Sequence, residues 1–339
     1  MNNIHQIKQI IPLVRKMFVD MGIKKSQIEI TPLQGGNNRV YKVITDNKNY
    51  VLKKYFKSDR DKRDRLQAEY LFFNYAQNCK TALIPDLLSC DMENSMALYE
   101  YVEGRKLKKG EIEKEHVRQA LGFVRAINQH KNRKSSMGAS LSFASEGCFS
   151  IEEHIQLMDR RITALSGMEI KDDISKEAEQ FILAALVPEW KSIRVSLNSY
   201  LEKKKKLERD EQIISPSDFG FHNAILKNDN QVYFIDFEYA GWDDPVKMIC
   251  DFFCQPGIPV PFRYFEYFTG GINDIIKSSY NLEEKAKLLL PLHRIKWCCI
   301  ILNDFLKFDA KRKQFASFNE DKRKEQLKKA MGYARQYHI

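Results

Sequence analysis

The hydrophobic pattern of this chain changes its period near Gly104. Before that point, short apolar runs bounded by turn residues are typical of β-strands, at 28–33, 39–45, 49–56 and 96–102. After it, apolar residues recur at helical spacing, as at 112–130, 150–166 and 281–307. This change of period predicts an α+β protein, with a small antiparallel β-sheet first and a larger helical part second.

The same boundary divides the chain into two predicted domains. A chain of 339 residues is too long for one compact core and suits two domains of unequal size. The first, residues 1–102, would hold an N-terminal helix, the antiparallel sheet and one further helix. The second, residues 103–339, would be helical apart from one β-hairpin.

That hairpin consists of two apolar runs on either side of a polar loop. If the loop spans 228–231, Asn223 lies directly opposite Asp236. An amide oxygen beside a carboxylate suits a Mg²⁺ ion that is loaded with phosphates. Asp218 lies in the loop before the first strand, where it could accept or orient the proton of an attacking hydroxyl. The three side chains together predict a site for phosphoryl transfer.

Each of these residues also has an ordinary structural interpretation. Asp218 could cap a turn, Asn223 could start a strand and Asp236 could be a surface carboxylate. The hairpin geometry favours the site over these alternatives. His222 lies in the same loop, but its sequence neighbours offer no obvious carboxylate to orient it. We therefore expect packing or hydrogen bonding from His222 and assign it no part in catalysis.

The first domain contains a turn and a lysine that suit a nucleotide. The turn between the first two strands is made of small and amide residues, Gly35, Gly36, Asn37 and Asn38. Backbone N–H groups in such a turn can approach phosphates closely, although any hairpin could use these residues. Lys53 would face the sheet interior, where it needs a carboxylate such as Glu69 and could also hold ATP phosphates. The alternative is a lysine that extends to solvent.

The strand at 96–102 closes the first domain and offers backbone groups to a ligand. Glu100 and Val102 would present C=O and N–H groups to an adenine edge, and Gly104 would free the turn into the second domain. An edge strand followed by a plain turn is the alternative.

These motifs resemble those of the aminoglycoside phosphotransferase and choline kinase family, which has a protein-kinase-like fold. The resemblance covers nearly the whole length, from the turn at 35–38 to the segment Ile-Asp-Phe-Glu-Tyr-Ala-Gly-Trp at 235–242. It implies a two-lobed, ATP-dependent and Mg²⁺-dependent kinase that phosphorylates a hydroxyl of a small molecule. The acceptor class that it suggests is an amino alcohol, a sugar, an aminosugar or a similar metabolite.

The resemblance also implies roles for the candidate residues. Asp218 corresponds to the catalytic aspartate, and Asn223 and Asp236 correspond to the metal ligands. The Lys53 and Glu69 pair corresponds to the phosphate-binding ion pair. The backbone at Glu100 and Val102 corresponds to the adenine contact.

One position departs from the family pattern. The family usually has a histidine two residues before the catalytic aspartate, and this chain has Pro216 there. The change puts the loop geometry in doubt more than the activity. The counterpart of Asp251 in the family mainly braces the catalytic loop. A catalytically silent, nucleotide-binding scaffold of the same fold is the competing hypothesis, although Asp218, Asn223 and Asp236 are all retained.

The acceptor itself is not identified by these motifs. Acidic residues of the second domain could receive a cationic acceptor, or they could simply lie on helix surfaces, namely Asp159, Asp243 and Asp304. His293 and Trp297 have i, i+4 spacing, and their shared helix face could line the acceptor pocket or the edge of the core.

The net charge of +10 raises the question of a polyanionic partner. Basic runs at 203–206 and 311–329 are typical of solvated helix faces, and nucleic-acid binding is an alternative that rests on charge alone. The sequence shows no membrane span and no apolar N-terminal signal, so we expect a cytoplasmic protein. Its oligomeric state stays open.

Overall fold

The fold was analysed in a computed structural model of the chain. It describes residues 3–23, 27–33, 35–46, 48–57, 63–80, 83–201, 206–278, 280–307, 315 and 322–339. The basic run at 203–206 lies almost entirely outside these ranges, and so does most of the run at 311–329.

The first part of the chain is an N-terminal helix, a five-stranded antiparallel sheet and a second helix. Their bounds are α1 Asn3–Asp20, β1 Ile28–Leu33, β2 Arg39–Thr45, β3 Asn49–Lys54, α2 Arg65–Asn78, β4 Leu87–Asp91 and β5 Met96–Glu100. The strand order is β1-β2-β3-β5-β4, and every neighbouring pair is antiparallel. The predicted bounds of β1 and β2 are those observed.

Two differences from the predicted elements have local causes. The apolar spacing of Leu66, Tyr70 and Phe73 predicts a helix from about Arg60 to Gln77. Helix α2 begins at Arg65, because the Asp64 side chain accepts a hydrogen bond from the Gln67 N–H at 2.9 Å and caps the helix. Strand β4 was not predicted. It is a short, half-buried edge strand with a register shift between Leu87 and Ser89, so its sequence carries no clear alternation.

The two faces of the sheet pack against different layers. Leu52 and Leu98 form one buried cluster with residues of α1, including Val14 and Phe18. Lys53 lies on the opposite face, because its cross-strand neighbour Ala97 belongs to the main core shared with α2 and the second part of the chain. The sheet thus presents Lys53 toward the rest of the molecule.

The second part is largely helical. Its helices are α3 Lys114–Ile127, α4 His130–Arg133, α5 Ser136–Ser140, α6 Ile151–Ser166, α7 Asp173–Phe181, α8 Val187–Asn198, α9 Pro245–Cys254, α10 Phe265–Ile276, α11 Leu282–Ile301 and α12 Arg323–Tyr337. Ser150 caps α6 and Asn281 caps α11, as the glutamates three residues after each of them predict. The apolar period through Trp190, Ile193 and Leu197 predicts a helix that runs to about Lys206 and that Pro188 kinks or divides. The structure shows two helices, α7 and α8, joined by a π-helical turn at 182–186, just before Pro188, which lacks the N–H that a continuous helix needs.

Four short strands interrupt the helices in two antiparallel pairs. They are β6 Ile213–Ser215, β7 Ala224–Leu226, β8 Val232–Phe234 and β9 Gly241–Asp243. Strand β6 pairs with β9, and β7 pairs with β8. The pairing is nested, so the loop from β6 to β7 and the loop from β8 to β9 lie side by side. In the described ranges, no helix is both long enough and apolar enough to cross a membrane.

Candidate active site

Lys53 joins the first part of the chain to the second. Its side chain is 9% exposed, and its Nζ lies 2.6 Å from Glu69 Oε2 on α2 and 2.5 Å from Asp236 Oδ1 in the β8–β9 loop. Glu238 Oε2 lies 3.9 Å away. Burial disfavours the ammonium, but these carboxylates together hold the pKa of Lys53 well above its usual value. The lysine is therefore a fixed positive charge at the meeting point of the two parts.

The hairpin register differs by one residue from the predicted one. Ala224 pairs with Phe234 and Leu226 pairs with Val232, so Asn223 lies opposite Ile235, whose N–H donates to the Asn223 carbonyl at 3.0 Å. The expectation that Asn223 faces Asp236 was wrong. The predicted loop was one residue too long, because Lys227 N–H donates to the Gln231 carbonyl at 2.9 Å and closes a three-residue loop, with Asn230 in the left-handed region at φ 63°.

Asp236 nevertheless reaches the site by another route. It follows the end of β8, and its backbone is in the left-handed region at φ 69°, where non-glycine residues are uncommon. The chain turns there, and the side chain, 37% exposed, meets Lys53. The strained backbone at Asp236, not cross-strand pairing, gives this carboxylate its position.

Asp218 is held by two neighbours in its own loop. Its Oδ1 lies 3.0 Å from His222 Nε2, and its Oδ2 accepts a hydrogen bond from Asn223 Nδ2 at 3.1 Å. Burial raises the pKa of Asp218, but His222 and Asn223 outweigh it and bring that pKa below its usual value. Asp218 is therefore an ionised carboxylate at neutral pH.

The loop before Asp218 is braced without a histidine at position 216. Ser217 has a left-handed backbone with φ 67°, and its N–H donates to the Ser215 Oγ at 2.9 Å. His222 supports the carboxylate from the other side. The loop geometry that Pro216 put in doubt is thus maintained by neighbouring residues.

His222 has a carboxylate partner that its immediate neighbours in sequence did not indicate. The expected hydrogen-bonding role is observed, but the partner is Asp218, four residues earlier across a turn. The ring also lies edge-on to Trp297, with centroids 6.4 Å apart, and Lys106 Nζ donates to its backbone carbonyl at 3.2 Å. In the described residues, the buried Nδ1 of His222 has no hydrogen-bond partner.

Asn223 and Asp236 have oxygens that suit a divalent cation. Asn223 Nδ2 donates to the backbone oxygen and to the carboxylate of Asp218, so the hydrogen bonds assign Oδ1 to the opposite side of the amide. Asp236 uses Oδ1 toward Lys53 and keeps a second oxygen. Two such oxygens with phosphates completing the shell are typical of Mg²⁺ sites. Among the residues that the structure describes, no group of three or more His, Cys, Asp or Glu side chains could hold a metal on its own.

In the turn at 35–38, the backbone of Gly35 lies close to the backbone of Asn38. A Cβ on Gly35 would lie 2.2 Å from the Asn38 carbonyl oxygen, whereas one on Gly36 would meet nothing within 4 Å. Asn38 is buried, donates to Glu238 Oε2 at 2.6 Å and accepts from the Phe56 N–H. Asn37 donates to the Tyr239 hydroxyl at 3.1 Å. Both amides therefore attach the turn to the β8–β9 loop.

Glu100 and Val102 lie where the sheet leads into the second part. Glu100 ends β5, and its N–H donates to the Asp86 carbonyl at 2.9 Å. Within the described residues, no group accepts the Val102 N–H. Gly104 comes next to β7, where an added Cβ would lie 2.5 Å from the Leu226 carbonyl oxygen, so this position requires glycine.

The sequence patterns did not identify three residues of the site, Glu238, Arg63 and Arg65. Glu238 is fully buried and binds Arg65 through Oε1 at 3.1 Å, opposite its bond to Asn38. Arg63 donates to three backbone carbonyls between 2.8 and 3.0 Å, those of Phe143, Glu238 and Ala240. Two arginines at the start of α2 were a signal, but their partners lie 80 to 177 residues away in sequence.

A cavity of about 640 Å³ opens beside Asp218, Gly36 and Asn37. Trp297 lines it, but His293 is fully buried and turned to Asp251 Oδ1 at 3.1 Å. The three acids considered for a cationic acceptor do not line the cavity. Asp159 binds Trp190 and Arg194, and Asp243 binds Lys247.

Comparison with known proteins places this geometry in a family. The profile described as "Phosphotransferase enzyme family" matches residues 29–254, about two thirds of the chain. A search of the curated proteins finds no match.

Solved structures of similar fold cover almost the whole chain. A spectinomycin phosphotransferase in complex with ADP and spectinomycin has a TM-score of 0.60 at 15% identity, covering 96% of this chain and 98% of that one. The choline kinase of Cryptosporidium parvum has a TM-score of 0.56 at 14% identity, with 98% of each chain covered. The choline kinase of Streptococcus pneumoniae has a TM-score of 0.56 at 16% identity, with 97% and 100% covered. The predicted two-lobed, protein-kinase-like fold is confirmed.

Proposed function

Because the chain belongs to the phosphotransferase enzyme family, we propose that it transfers the γ-phosphoryl group of ATP to a hydroxyl of a small molecule. Residues 1–102 act in this proposal as the nucleotide-binding lobe, and residues 103–339 carry the catalytic loop and the acceptor site. One observation supports the proposal above others. Asp218, an ionised carboxylate held by His222 and Asn223, lines a cavity of about 640 Å³.

The carboxylate suits the acceptor side of the reaction. An ionised Asp218 accepts a hydrogen bond from an acceptor hydroxyl in the cavity and orients its oxygen toward the phosphorus. His222 and Asn223 fix the carboxylate, so that little reorganisation is needed when the acceptor binds. As the new O–P bond forms, the bond between the γ-phosphorus and the β–γ bridging oxygen breaks, ADP leaves with that oxygen, and the proton of the hydroxyl moves to Asp218.

The nucleotide side is assigned to residues of the first lobe. Lys53, held by Glu69, contributes a fixed positive charge for the phosphates, and the turn from Gly35 to Asn38 brings its backbone close to them. The N–H of Val102, which no described group accepts, and the carbonyl of Glu100 are suited to an adenine edge. The ADP in the similar spectinomycin phosphotransferase supports a nucleotide in this region.

Asn223 and Asp236 would hold Mg²⁺. The ion, when bound, neutralises negative charge on the phosphates. The relatives named in the comparisons are a spectinomycin phosphotransferase and choline kinases, so an amino alcohol, a sugar or an aminosugar is the starting range of acceptors.

A nucleotide-binding scaffold without catalysis is the second candidate. The change at Pro216 favours it, whereas the braced position of Asp218 favours the enzyme.

The test is Asp218→Asn, a change that keeps the shape of the side chain and removes its charge. We expect transfer of labelled γ-phosphate to an acceptor to fall by about 10²–10⁴-fold. Binding of Mg²⁺–ATP, measured by calorimetry, should stay within about threefold. Unchanged transfer in the variant would refute the role of Asp218, and a wild-type protein that binds nucleotide but turns over no acceptor would favour the scaffold.

A further inference from the structure

We propose that a second cavity, of about 320 Å³, binds a small aromatic carboxylate whose charged end lies against the Arg294 guanidinium. We call it the Arg294 cavity. It shares no described lining residue with the cavity beside Asp218. The inference therefore concerns a separate site and does not rest on the proposed function.

The Arg294 cavity lies where the ends of two helices meet the middle of a third. Cys254 ends α9, Tyr337 ends α12, and Arg294 lies within α11. Residues 259–262, in the segment before α10, line the cavity as well. The Phe262 side chain is 52% exposed, and Gln336 is exposed too. The cavity therefore lies at the protein surface, where a ligand can enter from solvent.

Apolar side chains form most of the lining of the Arg294 cavity. They include Phe253, Pro259, Val260, Pro261, Phe262 and Leu290. The rings of Phe253 and Phe262 lie edge-on to each other, with centroids 6.2 Å apart, and Tyr337 adds a third ring. Such rings favour an aromatic ligand through edge-to-face and offset-stacked contacts. The volume of about 320 Å³ suits a ligand of one or two rings.

Arg294 is the only charged side chain among the described lining residues of this cavity. It is half-buried, and its Cζ lies 4.5 Å from the centroid of the Tyr337 ring. Within the part of the chain that the structure describes, no carboxylate forms an ion pair with Arg294 and no group accepts a hydrogen bond from its guanidinium. A cation that is partly removed from water without an anionic partner costs free energy, which a ligand carboxylate would offset. The planar guanidinium can bind both oxygens of a carboxylate.

Neighbouring groups add no open negative charge that would repel an anion. Burial raises the pKa of the Cys254 thiol to about 12, so this lining residue is neutral. Asp251 also raises that pKa, but its carboxylate is bound by Lys247 and Lys296. The net charge presented to a ligand is therefore that of Arg294.

These features together specify the ligand class. The ring of the ligand packs between Phe253, Phe262 and Tyr337, and its carboxylate accepts hydrogen bonds from Arg294. A neutral amide of the same shape would lose the charge-assisted hydrogen bonds, and an amine would meet a like charge. Aromatic monocarboxylates are the class that satisfies both the apolar walls and the cation.

The inference is tested with probes that share one ring system and differ in charge. We would titrate the full chain near neutral pH with 2-naphthoate, 2-naphthamide and 2-naphthylmethylamine and measure binding by calorimetry. We expect 2-naphthoate to bind about tenfold or more tightly than the amide, and the amine to bind more weakly than either. A non-hydrolysable ATP analogue should change the affinity for 2-naphthoate by less than about twofold, because it occupies a different site.

Single variants separate the charged contact from the apolar one. Arg294→Gln should abolish the preference for acid over amide and leave amide binding in place. Arg294→Lys, which keeps the charge, should retain part of that preference. Phe262→Ala should weaken the acid and the amide equally, because the exposed ring contacts the shared part of both. The matched control is Arg335→Gln, an exposed position of α12 that does not line the cavity, and it should keep the preference.

Several results would overturn the Arg294 site. They are no binding of 2-naphthoate to the wild-type protein, equal affinity for acid and amide, and an unchanged preference in Arg294→Gln. An Arg294→Lys variant without any preference would do so too. Displacement of 2-naphthoate by the ATP analogue would locate the probe in the nucleotide site and refute the inference as well. A wild-type protein that binds 2-naphthoate but not Mg²⁺–ATP would contradict the proposed function and support the Arg294 site.

Discussion

His222 Nε2 lies 3.0 Å from Asp218 Oδ1, so an imidazole holds the candidate catalytic carboxylate from within its own loop. The same ring lies edge-on to Trp297, which lines the cavity and donates to Asp251. Asp218 is therefore connected through His222 to Trp297 in the wall of the cavity. The contact between His222 and Asp218 supports the loop whose geometry was in doubt because this chain has Pro216 where the family usually has a histidine.

Replacing His222 by Gln should lower kcat without abolishing it. The amide keeps some hydrogen bonding but loses the ring that orients Asp218, and we expect a loss of about tenfold or more in kcat. His222 also lowers the pKa of Asp218, so its removal should move the acid limb of the pH–rate profile to higher pH. His130→Gln, at an exposed position on α4, is the control and should leave both quantities unchanged. An unshifted acid limb in His222→Gln would contradict this role.

Replacing Lys53 by Met should damage both stability and activity. The change leaves Glu69, Asp236 and Glu238 without their shared cation, and breaking a buried ion pair costs about 3–5 kcal/mol. Denaturant unfolding measures that loss, and the KM for ATP should rise in parallel. Lys54→Met is the control, because Lys54 points to the other face of β3 and should lose far less.

A second change separates the two effects of Lys53. Adding Glu69→Gln to Lys53→Met removes one uncompensated carboxylate and should recover part of the lost stability. Activity should not recover, because the cation that faces the phosphates is still missing. Recovery of activity in the double variant would contradict the phosphate-binding role of Lys53.

Gly35→Ala should destabilise the turn at 35–38, whereas Gly36→Ala should not. An added Cβ at Gly35 would lie 2.2 Å from the Asn38 carbonyl oxygen, and at Gly36 it would meet nothing within 4 Å. We expect a loss of about 1–3 kcal/mol in the free energy of unfolding for Gly35→Ala and under about 0.5 kcal/mol for Gly36→Ala. Equal losses in the two variants, measured by urea unfolding, would show that the turn is free to rearrange.

The stability of the protein should fall as the pH rises from 6.5 to above 9. His154 is fully buried and lies 3.3 Å from Asp244. Burial lowers the pKa of His154, but Cys148 and Asp244 raise it to about 9. With an unfolded value of about 6.5, the charged ring contributes about 3 kcal/mol below pH 6.5, and this contribution is lost as the pH rises through 9.

The neighbouring His293 affects the stability of the protein at acidic pH. Burial and Lys296 depress its pKa to about 3, so its contribution is present above pH 6.5 and is lost as the pH falls. His154→Gln should therefore flatten the unfolding free energy between pH 6.5 and 9.5. Because the charged His154 also helps to lower the pKa of His293, the variant should lose less stability on the acid side. The same slope in the variant and in the wild type would show that His154 is not charged in the folded protein.

Local sequence determined the elements and many of their ends. The strand bounds of β1 and β2 and the caps of α6 and α11 depend on residues a few positions apart, as do the hydrophobic periods of α3 and α9. Chemical identity also singled out Asp218, Asn223, Asp236, Lys53 and Glu69, because few residue types suit phosphates, metals and hydroxyl protons.

The tertiary structure decided what each of those residues contacts. The hairpin register depends on the left-handed backbone of Asn230. The loop sequence is compatible with several conformations, so it did not identify the register by itself. The buried bond between Arg65 and Glu238 joins residues 173 positions apart, and no local pattern reports such a distance. The charge of the cavity beside Asp218 depends on which carboxylates are already paired, and that pairing exists only once α6, α9, α11 and α12 have packed around one space.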